Sequence, residues 1–309
     1  MRARASASRS RADAYRSSPP APGSSRASRA KAALRPFADR LAASVEERRS
    51  QVCLGLDPAP APAAAVAERC RRLIDEAGEF CVAVKPQLAC FERLGAGGWA
   101  ALEETAEAAR SAGLLFIADA KRGDVPHIAT VHAETLVGTG RSEPAWALGA
   151  DAVTINPLMG GDVIDAFLEV AAPAGAGVFV LVRTSNPGAA DLLDRDLGGR
   201  PLFEQIADLL ASRADRLAGE SGLSGLGAVV GATEPRHLAR IRELLPASIF
   251  LVPGVGAQGG RPAELGDAFG RHPASVVVNA SRSIAGAPDP GRAAAGLRDE
   301  VWRVLGRMT

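Results

Sequence analysis

Four charged residues fall within the six positions of Asp119-Ala-Lys-Arg-Gly-Asp124, directly after a short apolar run. Side chains two residues apart in a strand share a face, so Asp119 and Lys121 should be directed at one point just past a buried strand. Asp124 lies too far along to share that strand and is expected where the next helix starts. One interpretation is an ion pair followed by a helix cap at Asp124, with Pro126 in the first turn. The other is a group of charges placed for chemistry, because burying a charge is costly unless it is paired.

The surrounding sequence predicts the elements that hold these charges. Eight nearly continuous runs of Val, Ile, Leu and Ala alternate with segments that carry apolar residues at helical spacing, a pattern typical of parallel strands covered on both faces. The runs are Val52–Leu56, Cys81–Val84, Leu114–Ile117, Ala152–Ile155, Val178–Val182, Gly227–Val230, Ile249–Val252 and Ser275–Val278.

Eight such units between residues 52 and 305 match a (β/α)8 barrel in number and length. We predict a single barrel domain over residues 35–309, with a lead-in helix at Phe37–Arg48. An open doubly wound sheet is the competing fold, but it usually has fewer strands and two halves, and the sequence shows no such division.

Residues 1–34 differ in composition: Arg, Ser, Ala and Pro dominate, and Asp13 is the only acidic residue. This segment predicts a disordered basic tail. Arg-rich, Ser-rich and acid-poor starts also resemble organelle transit peptides. A basic arm that contacts RNA is a third possibility, without a motif to support it.

The remaining composition narrows the class of protein. A net charge of +1 argues against nucleic acid as the main partner. The four cysteines have no zinc-site spacing and are expected to be reduced thiols in a cytoplasmic protein. No apolar run is long enough to span a membrane, so no membrane partner is expected.

Polar residues follow at least seven of the eight predicted strands. Barrel active sites lie at the carboxyl ends of the strands, so these residues should converge on one rim. Single members could be turn formers, as in Asn156-Pro, or solvated strand ends, as Lys85 could be. Their common position instead predicts a functional rim. Its members are Asp57, Lys85, Asp119 with Lys121, Asn156, Ser185, Gln258 and Asn279 with Arg282.

The segment Gly254-x-Gly256-x-x-Gly259 matches the dinucleotide-binding fingerprint. That fingerprint is expected at the first strand of a nucleotide-binding half, with an acidic residue at the end of the next strand. Here it follows the seventh predicted strand, and the eighth ends in Asn279. We therefore expect a phosphate monoester, held by backbone N–H groups and by Arg282, in preference to NAD.

Six motifs in this order resemble the orotidine 5′-phosphate decarboxylase family, specifically its longer bacterial branch, the type 2 subfamily. They cover the chain from the first strand to the eighth. They are Leu54-Gly-Leu-Asp57-Pro, Val84-Lys85-Pro-Gln, Ala118-Asp-Ala-Lys-Arg-Gly-Asp124, Arg183-Thr-Ser-Asn-Pro-Gly188, Val252-Pro-Gly-Val-Gly-Ala-Gln-Gly-Gly260 and Val278-Asn-Ala-Ser-Arg282.

The resemblance implies cofactor-free decarboxylation of orotidine 5′-phosphate to UMP, in de novo pyrimidine biosynthesis. It implies a charged tetrad in which Lys121 donates the proton to C6, and a homodimer in which one tetrad residue reaches the neighbouring subunit's site. The implied catalytic residues are Lys85, Asp119, Lys121 and Asp124, the last being the shared one. The implied substrate contacts are Asp57 to ribose, Ser185 to the pyrimidine, Gln258 and Arg282 to phosphate, and Gly260 and Ser281 beside them. No metal is implied.

The sequence departs from the family pattern at one position. The family usually reads Asp-Ile-x-x-Thr after the second aspartate, and that threonine binds ribose. Here Ile128 occupies the slot, and Thr130 comes two residues late. Either His127 replaces the lost contact or ribose is bound more weakly, and we expect activity with a raised KM for the substrate.

Two rival functions remain. Magnesium-dependent sugar-phosphate decarboxylases and synthases share Asp-x-Lys-x-x-Asp, but carry an acidic residue where this chain has Lys85, and a lysine there repels a cation. The second rival is a barrel that binds a nucleotide without converting it.

Overall fold

The computed structural model describes residues 35–139, 147–256 and 258–306. Its strands are β1 (Val52–Leu56), β2 (Ala83–Pro86), β3 (Leu115–Arg122), β4 (Ala152–Ile155), β5 (Gly177–Arg183), β6 (Ser224–Val230), β7 (Ser248–Pro253) and β8 (Val276–Ala280). Its α-helices are α1 (Phe37–Arg48), α2 (Ala63–Ala77), α3 (Leu88–Glu92), α4 (Ala96–Ser111), α5 (Pro126–Val137), α6 (Gly161–Ala174), α7 (Leu202–Ala211), α8 (Pro235–Leu244), α9 (Arg282–Ala285) and α10 (Pro290–Leu305).

The eight strands form a closed, all-parallel barrel in chain order. Closure is made by β1 and β8, where Val52 pairs with Val278 and Cys53 with Asn279. The predicted (β/α)8 barrel is confirmed, and the alternative of an open sheet is wrong. The predicted tail, residues 1–34, lies outside the described residues and stays a prediction.

The core is divided by the barrel wall. An outer layer lies between the strands and the surrounding helices, and a smaller cluster fills the barrel interior. Phe37, Leu41 and Val45 of α1 belong to the interior cluster, so the predicted lead-in helix closes the bottom of the barrel. Asp39 fixes α1 in place, because its carboxylate accepts hydrogen bonds from the backbone N–H groups of Glu220 and Ser221.

The predicted bounds of β3 are wrong at its carboxyl end. The strand continues to Arg122, so Asp119 and Lys121 lie within it and not beyond it. Its register with β4 shifts between Ala118 and Arg122, and Lys121 has a φ of +49°. A side-chain-bearing residue rarely adopts this left-handed conformation, which marks a local distortion of the strand.

Among the described residues, no helix combines the length and the apolar character needed to cross a bilayer. All four cysteines are free thiols.

Candidate active site

The charged residues of β2 and β3 meet at the carboxyl end of the barrel. Asp119 is 4% exposed, and each of its two carboxylate oxygens accepts from a lysine: Oδ2 from Lys85 Nζ and Oδ1 from Lys121 Nζ. The remaining acceptor capacity is also used, because Gln87 Nε2 lies 3.2 Å from Oδ2 and Thr154 Oγ1 lies 2.9 Å from Oδ1. Asp119 therefore receives four donors from three adjacent strands.

This arrangement fixes the charges of the buried pair. Burial by itself raises the pKa of Asp119, but Lys85 and Lys121 outweigh it and lower that pKa to about 2. Burial by itself lowers the pKa of Lys85, but Asp119, with a smaller contribution from Asp57, raises it above the ordinary lysine value. Both groups are thus charged over the whole physiological range of pH.

The two lysines differ in their access to the barrel mouth. The Lys85 side chain is 7% exposed, whereas that of Lys121 is 42% exposed. The backbone N–H of Lys121 donates to Thr154 Oγ1 at 3.0 Å, which holds the left-handed residue against β4. The Lys121 ammonium group therefore lies at the open end of the barrel, where it is paired with Asp119 Oδ1.

Asp124 does not join this network within the chain. Its Oδ1 accepts from the backbone N–H of Val125 at 2.7 Å, and the side chain is partly exposed. Helix α5 begins at Pro126 as predicted, but Val125 occupies the cap position and no side-chain cap is formed. The interpretation of Asp124 as a helix cap is therefore wrong.

Five of the six predicted substrate-binding residues line two cavities at the rim, and Gly260 lines neither of them. Asp57, Ser281 and Arg282 share the wall of a pocket of about 370 Å³. Ser185 and Gln258 share the wall of a second cavity of about 650 Å³. The rim thus brings together the residues that follow β1 and β8 on one side, and those that follow β5 and β7 on the other.

The loop after β7 has the geometry of a tight backbone turn. The Gly256 N–H donates to the Gly260 carbonyl at 2.8 Å, and the Gly260 N–H donates to the Gly254 carbonyl at 3.0 Å. Gly254 and Gly256 have φ values of +99° and +77°, which favour glycine. Because this loop follows the seventh strand of a closed barrel, its glycines do not mark a dinucleotide-binding half.

Sequence reasoning missed two polar residues at the site, Gln87 and Thr154. Gln87 and Thr154 bind Asp119 directly, and Asn279, only 9% exposed, has a buried Oδ1 that finds no partner among the described atoms. Strand alternation could have identified both missed residues, because Gln87 lies two residues after Lys85 and Thr154 two before Asn156. Asn279 is a member of the predicted rim, at the end of the eighth strand, but the sequence assigns it no specific contact.

In the three described stretches of the chain, no group of three or more His, Cys, Asp or Glu side chains is placed to hold a metal ion. The cationic side chains Lys85, Lys121 and Arg282 are the distinctive charges of this rim.

A closed (β/α)8 barrel with charged residues at the carboxyl ends of its strands is the architecture of the (β/α)8-barrel enzymes. Residues 50–297 match the model of the orotidine 5′-phosphate decarboxylase / HUMPS family. The chain belongs to this family.

Individual relatives agree with the family assignment. The orotidine 5′-phosphate decarboxylase of Rhodopirellula baltica is 38% identical over 80% of this chain and 87% of its own length. That of Haloarcula marismortui is 41% identical over 85% of this chain and 91% of its own. The solved structure of Leishmania donovani OMP decarboxylase superposes with a TM-score of 0.75 at 36% identity, covering 87% of this chain and 98% of that one.

Replacing Asp119 by Asn tests the network. It leaves the Lys85 ammonium buried without a carboxylate, so the free energy of unfolding near pH 7 should fall by about 3–5 kcal/mol. Because the pKa of Asp119 is lowered from 3.8 to about 2, its contribution is fully present above pH 3.8 and is lost as the pH falls through 2. Urea denaturation should show the difference between wild type and variant shrinking across that range.

The matched control removes both charges, as Lys85→Gln with Asp119→Asn, which keeps an amide oxygen as an acceptor at position 119. This double variant should be close to wild type in stability, because it leaves no unpaired buried charge. An Asp119→Asn protein as stable as wild type would contradict the network.

Proposed function

We propose that this protein decarboxylates orotidine 5′-phosphate to UMP, in pyrimidine biosynthesis, with a cytoplasmic location. The observation that carries the proposal is the pair of lysines held by Asp119 at the barrel mouth, beside a pocket that contains Asp57 and Arg282. Membership in the family supports the same reaction.

The proposed reaction uses fixed charge. The bond between C6 and the carboxylate breaks, carbon dioxide leaves, and the electron pair stays at C6. The Lys121 ammonium stabilises that negative charge and then transfers a proton to C6, and solvent restores the proton to Lys121. Asp119 holds Lys121 in position, and Lys85 neutralises the other oxygen of Asp119.

The choice of lysine supports this role. The sequence has 36 lysines and arginines together, and only Lys31, Lys85 and Lys121 are lysines. An arginine is effectively always protonated and cannot serve as the proton donor, whereas an ammonium group can give up a proton and regain it. The described barrel has lysine at two positions only, Lys85 and Lys121, and the requirement for a proton donor applies to Lys121.

The proposed contacts to the substrate follow the two cavities. Asp57 binds the ribose hydroxyls, and Ser185 contacts the pyrimidine. Gln258 and Arg282 bind the phosphate, with Gly260 and Ser281 beside them. Phosphate binding remote from C6 then contributes energy to closing the Gln258 loop over the site.

We also propose a homodimer in which Asp124 completes the partner's site. Asp124 contacts neither lysine of its own chain in the described structure, and it precedes a helix with apolar residues turned to solvent. Val125, Ile128 and Val131 are exposed on or next to α5, and Leu158 is exposed in the loop after β4. An apolar surface of this kind is typical of a subunit interface.

The decisive assay follows carbon dioxide release from orotidine 5′-phosphate. Wild type should convert it in the presence of EDTA, which distinguishes this reaction from the magnesium-dependent alternative. Lys121→Arg keeps a positive charge but should lose on the order of 10²–10⁴-fold in kcat, the usual contribution of a positioned proton donor. Binding of UMP, measured by calorimetry, should persist in the variant. Binding without turnover by wild type would instead indicate a nucleotide-binding barrel.

Mixing two inactive variants tests the shared site. Lys121→Ala and Asp124→Ala should each be nearly inactive alone. After unfolding and refolding together, a twofold dimer with shared sites should recover roughly a quarter of wild-type activity, because half of the dimers contain one intact site. No recovery in a confirmed mixed dimer would place Asp124 in its own subunit's site or outside it.

The residue at 128 should influence ribose binding. Ile128 is 36% exposed on α5, and the Thr130 hydroxyl donates to the Pro126 carbonyl at 3.0 Å, so Thr130 is engaged within its own helix. Ile128→Thr should therefore lower KM by roughly 2- to 10-fold, the worth of one hydrogen bond, with kcat little changed. Ile128→Val, which adds no hydroxyl, is the control. An unchanged KM in the threonine variant would show that no contact is missing.

A further inference from the structure

The loop after β5 has to place Ser185 accurately although it is long. Residues 184–201 connect β5 to α7 and contain only one short 3-10 segment, Pro187–Asp191. A catalytic or binding group gains from proximity only if its position is held to within a fraction of an ångström. Something outside regular secondary structure must therefore hold this loop.

Arg183 and Asp194 close the first part of the loop into a ring. Arg183 is the last residue of β5, where its carbonyl accepts from the Gly231 N–H at 2.8 Å. Its guanidinium binds the Asp194 carboxylate through two parallel hydrogen bonds, Nε to Oδ1 at 2.7 Å and Nη2 to Oδ2 at 3.0 Å. This bidentate geometry fixes orientation as well as distance.

The pair is better protected than an ordinary surface ion pair. The Arg183 side chain is 9% exposed and that of Asp194 is 27% exposed. The hydrogen bonds from Arg183 outweigh the effect of burial and lower the pKa of Asp194. A guanidinium this deeply buried would carry a large desolvation cost without its partner, so the ring should open rarely.

Ser185 lies inside this ring and against two neighbouring loops. A Cβ at Gly231, after β6, would come within 2.7 Å of the Ser185 Cα and Cβ. A Cβ at Gly254, after β7, would lie 3.4 Å from the Ser185 Cβ and 3.1 Å from the Gln258 Oε1. The Gly254 backbone thus separates Ser185 from Gln258, and a shift of the β5 loop would change the spacing between these two side chains.

We propose that Arg183 and Asp194 form a clamp that positions Ser185 against the Gln258 loop. The clamp keeps a fixed distance between Ser185, the proposed pyrimidine contact, and Gln258, the proposed phosphate contact. The clamp rests on the proposed function of Ser185 and Gln258. Arg183 and Asp194 line the same cavity as Ser185 and Gln258. In this proposal they are positioning residues, which act by holding Ser185 in place.

The chain offers a matched control for breaking the clamp. Arg213 binds Asp165 through the same two-bond geometry, at 2.9 Å for each bond, on the outer helical layer and away from both cavities. Asp194→Asn should lower kcat/KM for orotidine 5′-phosphate on the order of 10- to 100-fold, since small displacements near a site have effects of this size. Asp165→Asn should stay within about twofold of wild type, as exposed pairs contribute little.

A double-mutant cycle shows whether Asp194 acts through Ser185. In wild type, Ser185→Ala should lower kcat/KM. In the Asp194→Asn background, the same change should have little further effect, because Ser185 is already displaced. If the two effects simply multiply, Asp194 does not act through Ser185, and the clamp proposal is overturned.

A loss of stability has to be separated from a loss of position. If Asp194→Asn does not fold, the charge-free pair Arg183→Gln with Asp194→Asn replaces it, since it leaves no unpaired buried guanidinium. This variant should melt near wild type and still show the loss in kcat/KM. Wild-type kinetics in the folded double variant would contradict the clamp.

Amide hydrogen exchange gives a readout that does not depend on turnover. Residues 184–194 should exchange faster in Asp194→Asn than in wild type, and Asp165→Asn should leave them unchanged. Unchanged exchange in Asp194→Asn would overturn the clamp even if wild type is active. A wild type that releases no carbon dioxide, but shows the expected exchange, would refute the proposed reaction and leave the clamp standing as a loop anchor.

Discussion

The site depends on one buried carboxylate, that of Asp119. A charge taken out of water is stable in a protein only when its partners compensate for the lost hydration. Asp119 has four such partners, two ammonium groups and two neutral donors, and they come from three consecutive strands. The carboxylate therefore has two roles: it links the ends of β2, β3 and β4, and it orients the two lysines.

The barrel makes this arrangement possible because it places neighbouring strand ends side by side with their inward side chains converging. β3 departs from regular strand geometry at the charged residues of the site. The register shift between Ala118 and Arg122 includes Lys121, which has a left-handed backbone conformation. Thr154 holds this distortion, since its hydroxyl both accepts from the Lys121 backbone and donates to Asp119. Strain that persists because its surroundings fix it is characteristic of functional positions.

Much of the fold could be predicted from the sequence, because strands covered on both faces leave a strong apolar signal. The lead-in helix at Phe37–Arg48 and the first strand at Val52–Leu56 agree residue for residue with the prediction. The end of β3 was misjudged, since charged residues inside a strand look like its end when pairing partners are unknown. The short helices α3 and α9 were missed because they have too few residues for a helical period to appear.

The charged site was predicted in part. Spacing in one strand indicated the contact of Asp119 with Lys121, and the position of Lys85 at the end of the second predicted strand placed it on the same rim. The roles of Thr154 and Asp194 depend on contacts between residues distant in sequence, Asp119 with Thr154 and Arg183 with Asp194, and a local pattern contains no such information. The partner of Asp124 could not be deduced from a local pattern either, because that proposed partner belongs to another subunit.

The most direct test of Asp119 as the organising charge is a pH titration followed by NMR on protein labelled with ¹⁵N at the lysine side chains. The small number of lysines makes each signal assignable by single substitution. Asp119 raises the pKa of Lys85 above the ordinary 10.5, so the Lys85 signal should remain that of an ammonium group as the pH passes that value. In Asp119→Asn, only the smaller effect of Asp57 opposes burial, so Lys85 should lose its proton at a pH below 10.5. A Lys85 signal that titrates identically in both proteins would contradict the account.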